Sequence, residues 1–177
     1  MKLIIRYNKL MRELIKKAAE YKYEDEMVKI DNICVLIDPK FKEIEGCIFI
    51  ELPKKEVDEK KYIQYVKNGR KRERDFTEIE WEDSEVVIDH YIEYPDEIKG
   101  MAELKLGLKL QKIWANKLKE IYPNYKFCIT LSYDCGEYPS ATLRFHRVRE
   151  DEIPYHLEND DLDSFKVNGM SVIHISE

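Results

Sequence analysis

Apolar residues recur at helical spacing in several segments of the chain, and these segments predict its helices. Residues 2–21 place apolar positions at steps of three and four between lysines and arginines, which predicts an amphipathic helix. A proline in a tolerated first-turn position opens a second predicted helix over 53–68, which ends at an Asn-Gly pair. The pattern over 96–121 predicts the longest helix, and a short one is predicted near 159–166. Gly107 costs about 1 kcal/mol in a helix relative to alanine, which a close contact with a neighbouring element would offset.

Shorter apolar stretches bounded by turn residues predict the strands. Residues 27–37 end at an Asp-Pro turn, and residues 46–52 are too short for an independent helix, so each is predicted to be a strand. Apolar residues alternate with glutamates at the start of 77–94, which predicts a hairpin. A second hairpin is predicted over 126–148, and a terminal strand over 171–176 after an Asn-Gly turn.

The hairpin predicted over 126–148 has one apolar face and one polar face. Antiparallel sheets commonly bury one face and leave the other partly wet. Since helices and strands are mixed along the chain and the hairpins are local, we predict a single α+β domain over 1–177. It has a largely antiparallel sheet, with helices packed mainly on one face. The apolar face of the hairpin comprises Phe127, Ile129, Leu131, Tyr133, Ala141, Leu143 and Phe145.

Charge is divided unevenly along the chain. Its net charge is −6, but residues 1–75 hold 19 basic and 15 acidic side chains, whereas residues 76–177 hold 11 basic and 21 acidic ones. A negative net charge opposes nonspecific binding to nucleic acid or to an anionic membrane. The N-terminal residues do not form a secretory signal, and no stretch approaches the roughly 18 apolar residues of a membrane span. We therefore expect a cytoplasmic protein that does not enter a membrane.

Four cysteines offer thiol or metal chemistry, but none forms a C-x-x-C pair, and three lie in apolar strand-like stretches typical of buried thiols. The acidic run 158–163 lacks the spaced ligands of an EF-hand loop. A nucleophilic role for Cys135 is disfavoured because Asp134 and Glu137 would raise its pKa. We predict neither a metal nor a cofactor, since the remaining candidate set has no familiar zinc spacing. That set is Cys128, Cys135, His146 and His156.

The polar face of the 126–148 hairpin is the best enzymatic alternative. Ser132, Arg144 and His146 project from one side of two paired strands, and these residue types can supply a nucleophile, an anion clamp and a base. The hypothesis is a small hydrolase or a phosphoryl-handling enzyme. No G-x-S-x-G elbow surrounds the serine, and polar residues are expected on the wet face of a sheet in any case.

A basic loop at residues 70–74 supports a second alternative, an RNA-binding module. Its cations could contact phosphate groups, but an acidic residue interrupts the run and another follows it. The hypothesis requires the loop to join a larger positive surface in the folded protein. Its candidate residues are Arg70, Lys71, Arg72 and Arg74.

The acidic second half favours a noncatalytic protein that binds a basic protein partner. An acidic surface steers a basic partner during encounter, and tyrosine, present 12 times, is favoured at interfaces. The predicted partner-binding residues are Glu150, Asp151, Glu152, Asp160, Asp161 and Asp163.

The last third of the chain resembles the small acidic immunity proteins of bacterial polymorphic or contact-dependent toxin systems. The residues that carry the resemblance are the run Tyr138-Pro139-Ser140-Ala141-Thr142-Leu143-Arg144-Phe145-His146, the acidic stretch after it and the terminal strand. The resemblance implies a protein that binds a cognate toxin domain, often a basic nuclease, and covers its active site.

Overall fold

The computed structural model describes residues 2–20, 33–52, 55–91, 99–152 and 161–176. The strands are β1 (Lys2–Tyr7), β2 (Lys40–Ile44), β3 (Cys47–Glu51), β4 (Val86–Val87), β5 (Lys126–Asp134), β6 (Ser140–Val148) and β7 (Asn168–Ser176). The helices are α1 (Lys9–Glu20), α2 (Ile33–Ile37), α3 (Glu59–Lys71), α4 (Phe76–Asp83) and α5 (Lys99–Ile121). Five strands form an antiparallel sheet in the order β1-β7-β5-β6-β4, and β2 and β3 form a separate hairpin. The predicted α+β class is confirmed.

The predicted hairpin over 126–148 forms the centre of the sheet. β5 and β6 pair along their full length, and β7 pairs with the other side of β5. The predicted apolar face is buried. The terminal strand is also confirmed, but it begins at Asn168, so the predicted Asn-Gly turn lies inside β7. A Cβ on Gly169 would lie 2.8 Å from Leu14 Cδ1, so this glycine lets α1 pack closely on β7.

The prediction of one helix over residues 2–21 is wrong for its first part. Residues 2–7 form β1, which pairs with β7, and α1 begins at Lys9. Between them, the buried Asn8 side-chain oxygen accepts hydrogen bonds from the backbone N–H of Met11 (2.8 Å) and of Met170 (2.9 Å). Pairing with the far end of the chain therefore outweighs the local helical pattern, and Asn8 caps the helix that remains.

The helix predicted over 53–68 begins later and ends later than expected. α3 starts after Asp58, whose side chain accepts a hydrogen bond from the backbone N–H of Lys61 (2.9 Å), and it continues to Lys71. The Asn68-Gly69 pair is therefore not a stop. A Cβ on Gly69 would lie 2.7 Å from Ile79 Cδ1, so this glycine permits close packing between α3 and α4.

The hairpin predicted over 77–94 is largely wrong over residues 77–91, since α4 occupies its first part and β4 is the only strand in that range. Residues 92–94 lie outside the described residues. Asp75 caps α4 by accepting a hydrogen bond from the backbone N–H of Glu78 (2.7 Å). α4 contacts α3, β3 and β6, so it buries residues on more than one side. Its apolar positions therefore do not form a single helical stripe, and this is why their alternation with glutamates predicted a strand.

Two further segments differ from their predicted form. Residues 33–37 form α2 rather than a strand, and residues 27–32 lie outside the described residues. Trp114 Nε1 donates a hydrogen bond to the Leu36 carbonyl oxygen (2.7 Å), which ties α2 to α5. The short helix predicted near 159–166 is a single 3-10 turn at Leu162–Ser164.

The helices α1 and α5 cover one face of the sheet, and the main core lies between them and the strands. Gly107 makes the predicted close contact, because a Cβ there would lie 2.8 Å from Leu131 Cδ1. β3 divides its side chains between two cores: Ile48 and Ile50 join the main one, and Phe49 packs with α3 and α4. No helix in the described ranges is long and apolar enough to cross a membrane.

Candidate functional site

The structure does not gather the three residues predicted for the polar face of the β5–β6 hairpin. Ser132 pairs with Thr142, whereas His146 pairs with Cys128. Ser132 and His146 are thus four strand positions apart, roughly 13 Å at the rise of a β-strand. Arg144 lies between them. A serine nucleophile must hydrogen-bond to its base, and this register does not bring Ser132 and His146 into such contact.

His146 and Arg144 both contact Trp81 of α4. The His146 ring is fully buried and meets the Trp81 ring edge-on at 5.7 Å between centroids. The Arg144 guanidinium carbon lies 5.2 Å from the Trp81 ring centroid, and the guanidinium also pairs with Glu85. These contacts attach α4 to the sheet, so both residues have a structural role.

A buried ion pair joins α4, the β2–β3 turn and the end of β6. The Glu80 carboxylate is fully buried and accepts hydrogen bonds from Arg149 Nη2 (2.6 Å), Arg149 Nη1 (3.1 Å) and the backbone N–H of Ile48 and Arg147 (2.7 Å each). Arg149 Nη2 also donates to the Gly46 carbonyl oxygen (2.8 Å). Burial raises the pKa of Glu80, and these hydrogen bonds oppose that rise.

Glu152, predicted as a partner-binding charge, lies in the interior. Its side chain is 8% exposed, and it accepts hydrogen bonds from the backbone N–H of Phe76 and Thr77 (2.9 Å each) and from the Thr77 hydroxyl (2.6 Å). These donors belong to the first turn of α4, where a carboxylate satisfies unpaired N–H groups. Glu152 therefore caps α4 and does not present its charge to a partner.

The other predicted partner-binding carboxylates lie at two ends of the sheet. Glu150 and Asp151 are exposed just after β6, beside the start of β5. Asp161 and Asp163 are exposed before β7, whose first residue pairs with the last residue of β5. β5 has nine residues, so its ends are about 27 Å apart. Asp160 lies outside the described residues, and the remaining four do not form one surface.

One end of the sheet combines exposed carboxylates with exposed apolar side chains. The β5–β6 loop and the segment before β7 both leave the sheet there, and we call this surface the acidic end. Tyr138 is 82% exposed and Val167 is 77% exposed, whereas the other exposed large apolar side chains of the described ranges are at most 43% exposed. We assign to the acidic end Asp134, Glu137, Tyr138 and Val167, which lie at this end of the sheet, and Asp161 and Asp163, which lie on the segment that leads to Val167.

Cations also lie around the acidic end: Lys9 and Lys166 line a cavity with Asp163, and Lys17 is close enough to act on the Cys135 thiol. Asp163 accepts a hydrogen bond from the backbone N–H of Lys9 and pairs with Arg12 at 3.7 Å. These two groups partly neutralise the charge of its carboxylate. Lys166 is exposed in the same segment. Asp134 accepts a hydrogen bond from the backbone N–H of Gly136 (2.8 Å), which shapes the loop that carries Tyr138.

The opposite end of the hairpin carries a basic cleft. Two cavities of about 410 Å³ and 470 Å³ adjoin there, and Phe76 lines both. Of the predicted basic loop, Arg70 and Lys71 line the cleft, whereas Arg74 pairs with Glu78 and Glu82 outside it. The name basic cleft refers to Arg70, Lys71, Phe76, Tyr125, Lys126 and Arg147.

Two arginines of the basic cleft lie over aromatic rings. The Arg70 guanidinium carbon is 4.6 Å from the Phe76 ring centroid, and that of Arg147 is 3.6 Å from the Tyr125 ring centroid. Tyr125 also stacks on Tyr122, with centroids 5.7 Å apart and an interplanar angle of 7°. Aromatic faces hold guanidinium planes in place through cation–π attraction. The cleft therefore presents oriented guanidinium groups.

The thiols have no common site among the described residues, which hold no group of three or more metal-ligating side chains. His156, one of the candidate zinc ligands, lies outside them. The burial expected for the cysteines holds for Cys47 and Cys128, whereas Cys34 and Cys135 are exposed. Burial and the nearby Asp134 raise the pKa of the Cys135 thiol, the direction predicted from its neighbours.

Sequence reasoning missed Arg147 and Tyr125, although one signal was present. Residues 143, 145 and 147 lie on the same face of β6, so Arg147 continues the apolar register with a charged side chain. A charge at the end of an apolar face is typical of a position where the core opens to solvent. No local pattern indicates that α3 and Phe76 lie beside it, because that contact is tertiary.

No curated protein and no solved structure matches this chain. A family model does match it, over residues 6–177. By that match, the chain belongs to the Uncharacterized protein PM0498 family.

Proposed function

We propose that this protein is a noncatalytic immunity protein of the cytoplasm that neutralises a basic toxin domain by binding it at the acidic end. The observation that carries the proposal is the combination of highly exposed Tyr138 and Val167 with the surface carboxylates Asp134 and Glu137 at one end of the sheet. Asp161 and Asp163 add exposed carboxylates on the segment that leads to Val167. The resemblance of the last third of the chain to immunity proteins supports it. The cysteines Cys34, Cys47, Cys128 and Cys135 are all free thiols, which suits a reducing compartment.

The chemistry of the acidic end suits a protein partner with a positive surface. A tyrosine supplies a large, rigid contact area with a polar hydroxyl, and such residues often dominate binding energy. Surrounding carboxylates such as Glu137 raise the rate of encounter with a basic surface and lose that effect as salt screens them. The partner-binding residues of this proposal are therefore the acidic end, which keeps Asp161 and Asp163 from the predicted set.

The first experiment identifies the partner through the proposed surface. A photo-crosslinking amino acid replaces Tyr138, the protein is expressed in its native cells, and crosslinked proteins are identified by mass spectrometry. We expect a protein with a basic domain. That domain, expressed alone, should arrest growth, and coexpression of the wild-type chain should restore it. A captured partner that does not affect growth would count against the immunity role.

Binding measurements then test the surface itself. Glu137→Lys combined with Tyr138→Ala should weaken binding of the purified partner by roughly 30-fold or more, since truncating an anchor residue commonly costs at least about 2 kcal/mol. It should also flatten the salt dependence of the association rate. The matched control is Glu120→Lys with Ile121→Ala, which changes an exposed acidic residue and an exposed apolar residue at the end of α5. Equal binding by both double variants would remove the acidic end from the proposal.

A further inference from the structure

The basic cleft holds two guanidinium groups that no carboxylate neutralises within the described residues. Arg70 contacts the Phe76 ring and the Arg74 carbonyl oxygen, and Arg147 contacts the Tyr125 ring. By contrast, the neighbouring Arg149 is neutralised by the buried Glu80 carboxylate and also donates to the Gly46 carbonyl oxygen. Arginine is a strong donor for oxyanions because its planar fork can give two parallel hydrogen bonds.

We infer that the basic cleft is a binding site for a phosphate-bearing ligand, held by the forks of Arg70 and Arg147. A carboxylate can be satisfied by one guanidinium fork, whereas a phosphate or pyrophosphate group has enough oxygens to accept from two forks at once. Phe76 lines both cavities, and we place the ligand across this shared residue, where it would reach Arg70 from one cavity and Arg147 from the other. Their volumes lie in the range of small-molecule sites.

The charge around the cleft favours a compact ligand. Lys67, Lys71 and Lys126 line it in addition to the two arginines. Three carboxylates also line it, and two of them form ion pairs with these lysines: Glu45 with Lys67 (3.8 Å) and Glu150 with Lys126 (3.3 Å). The net positive charge is therefore moderate, and it suits a small polyvalent anion better than a long polyanion.

The aromatic rings of the cleft bind arginines and leave little room for stacked bases. Tyr125 has Tyr122 stacked on it and Arg147 over its ring, and Phe76 lies close to Arg70 and Arg149. Single-stranded RNA binding normally uses such rings as stacking platforms. We therefore expect pyrophosphate to bind without help from a nucleobase.

The test is calorimetric titration of the full-length chain at low ionic strength with three probes. The probes are pyrophosphate, a uridine hexanucleotide and a hexa-aspartate peptide. We expect pyrophosphate to bind and the peptide not to bind. Tighter binding of the hexanucleotide that still needs both arginines would support the phosphate site and identify its source as nucleic acid. Equal binding of the peptide and pyrophosphate would overturn the phosphate assignment, and so would absence of binding by both phosphate probes.

Three variants test whether pyrophosphate binds to these two arginines or responds only to the net charge of the protein. Arg70→Gln and Arg147→Gln should each weaken pyrophosphate binding roughly tenfold or more, the usual effect of losing a charge-assisted hydrogen bond. Arg72→Gln is the matched control, because Arg72 is exposed at the end of α3, two residues from Arg70, and does not line the cleft. If Arg72→Gln weakens binding equally, the ligand senses only net charge and the site is refuted.

A substitution that keeps the positive charge distinguishes a loss of binding from a loss of folding. Arg147→Lys keeps the positive charge and removes the fork, so it should also weaken pyrophosphate binding while the thermal midpoint of unfolding stays unchanged. Undiminished binding by this variant would contradict the role of the fork. The acidic-end variant Glu137→Lys with Tyr138→Ala should bind pyrophosphate normally, so failure of the phosphate site and failure of the proposed function give different results.

Discussion

The acidic end and the basic cleft lie at opposite ends of the β5–β6 hairpin, and different interactions hold them in place. The carboxylates of the acidic end are exposed on short loops, and their contacts are mainly hydrogen bonds to nearby backbone. The buried Asn8 attaches the segment before β7 to the start of α1. The cleft instead lies over the buried pair of Glu80 and Arg149, which joins three elements of the fold.

This difference predicts how each region responds to substitution. A charge on an exposed loop can change with little effect on folding, since surface positions usually alter stability by less than about 0.5 kcal/mol. Arg147 lies two residues from Arg149, and its backbone N–H donates to Glu80, so the cleft depends on the core beneath it. Binding at the acidic end can therefore vary independently of stability, whereas a substitution in the core beneath the cleft should change both stability and binding in the cleft.

The largest loss in the free energy of unfolding is expected from Glu80→Gln. This substitution leaves Arg149 buried with Glu152 at 3.8 Å as its remaining carboxylate partner. Breaking a buried ion pair by removing one partner costs about 3–5 kcal/mol. We expect that loss in the free energy of unfolding, measured by urea denaturation.

The matched control for this prediction is Glu85→Gln. Glu85 pairs with Arg144 at a partly exposed position, so its loss should cost at most about 1 kcal/mol. If the two variants lose the same stability, the buried pair does not hold the cleft in the way described.

A smaller but still large effect is expected from Asn8→Ala, which tests the support of the acidic end. The Asn8 oxygen caps α1 and binds β7, and its nitrogen donates to the carbonyl oxygens of Phe165 (3.0 Å) and Asn168 (2.8 Å). Losing the cap costs about 1 kcal/mol, and leaving the buried Met170 N–H unsatisfied adds roughly 1–3 kcal/mol, whereas the two carbonyl oxygens are only partly buried. We therefore expect a loss of about 2–4 kcal/mol.

Chemical denaturation checks the Asn8 prediction against Asn116→Ala, because Asn116 is exposed on α5. Amide hydrogen exchange should also become faster in β1 and at the start of β7. A loss below about 1 kcal/mol for Asn8→Ala would show that the acidic end does not need this residue.

Glu152→Gln tests whether Glu152, a predicted partner-binding residue, instead caps α4. The neutral amide is a weaker acceptor for the first turn of α4, so we expect a loss of about 1–2 kcal/mol in the free energy of unfolding. Glu150→Gln should change stability by less than about 0.5 kcal/mol, since Glu150 is exposed and its contact with Lys126 is at the surface. The same stability for both variants would contradict the capping role.

The smallest effect concerns pH and the stacked tyrosines beneath Arg147. Burial raises the pKa of Tyr122 from 10.0 to about 12. A raised folded-state pKa means that the contribution of Tyr122 to stability is fully present below pH 10.0 and is lost as the pH rises from there toward about 12. Tyr122→Phe should therefore lose less stability than the wild type across that range. The pH slopes of the two proteins should agree below pH 10.0, and equal slopes above it would contradict the prediction.

The sequence predicted the elements whose patterns are local and repeated. The helix predicted over 96–121 is confirmed from Lys99 onward as α5, and residues 96–98 lie outside the described residues. This helix and the β5–β6 hairpin were predicted because each has a long, regular apolar pattern that its own length satisfies. β1 and α4 were wrong because their patterns are short and distant partners decide their form. The partner-binding residues remain a prediction. Of the described members, Glu152 is buried under α4, and the hydrogen bond and ion pair that Asp161 and Asp163 make do not involve Glu150 or Asp151, because the positions of charges depend on tertiary packing.

The amino-acid sequence by itself determined the α+β class, the central hairpin and the uneven distribution of charge, since all three follow from local periodicity and composition. Only the tertiary structure decided which charges are available at the surface. Glu152 and Glu80 are buried because α4 packs against β6. Arg70 and Arg147 line two cavities that share Phe76, because α3 and β6 both pack against α4. Charge in a sequence becomes a binding surface only when packing leaves it exposed and brings it beside a suitable neighbour.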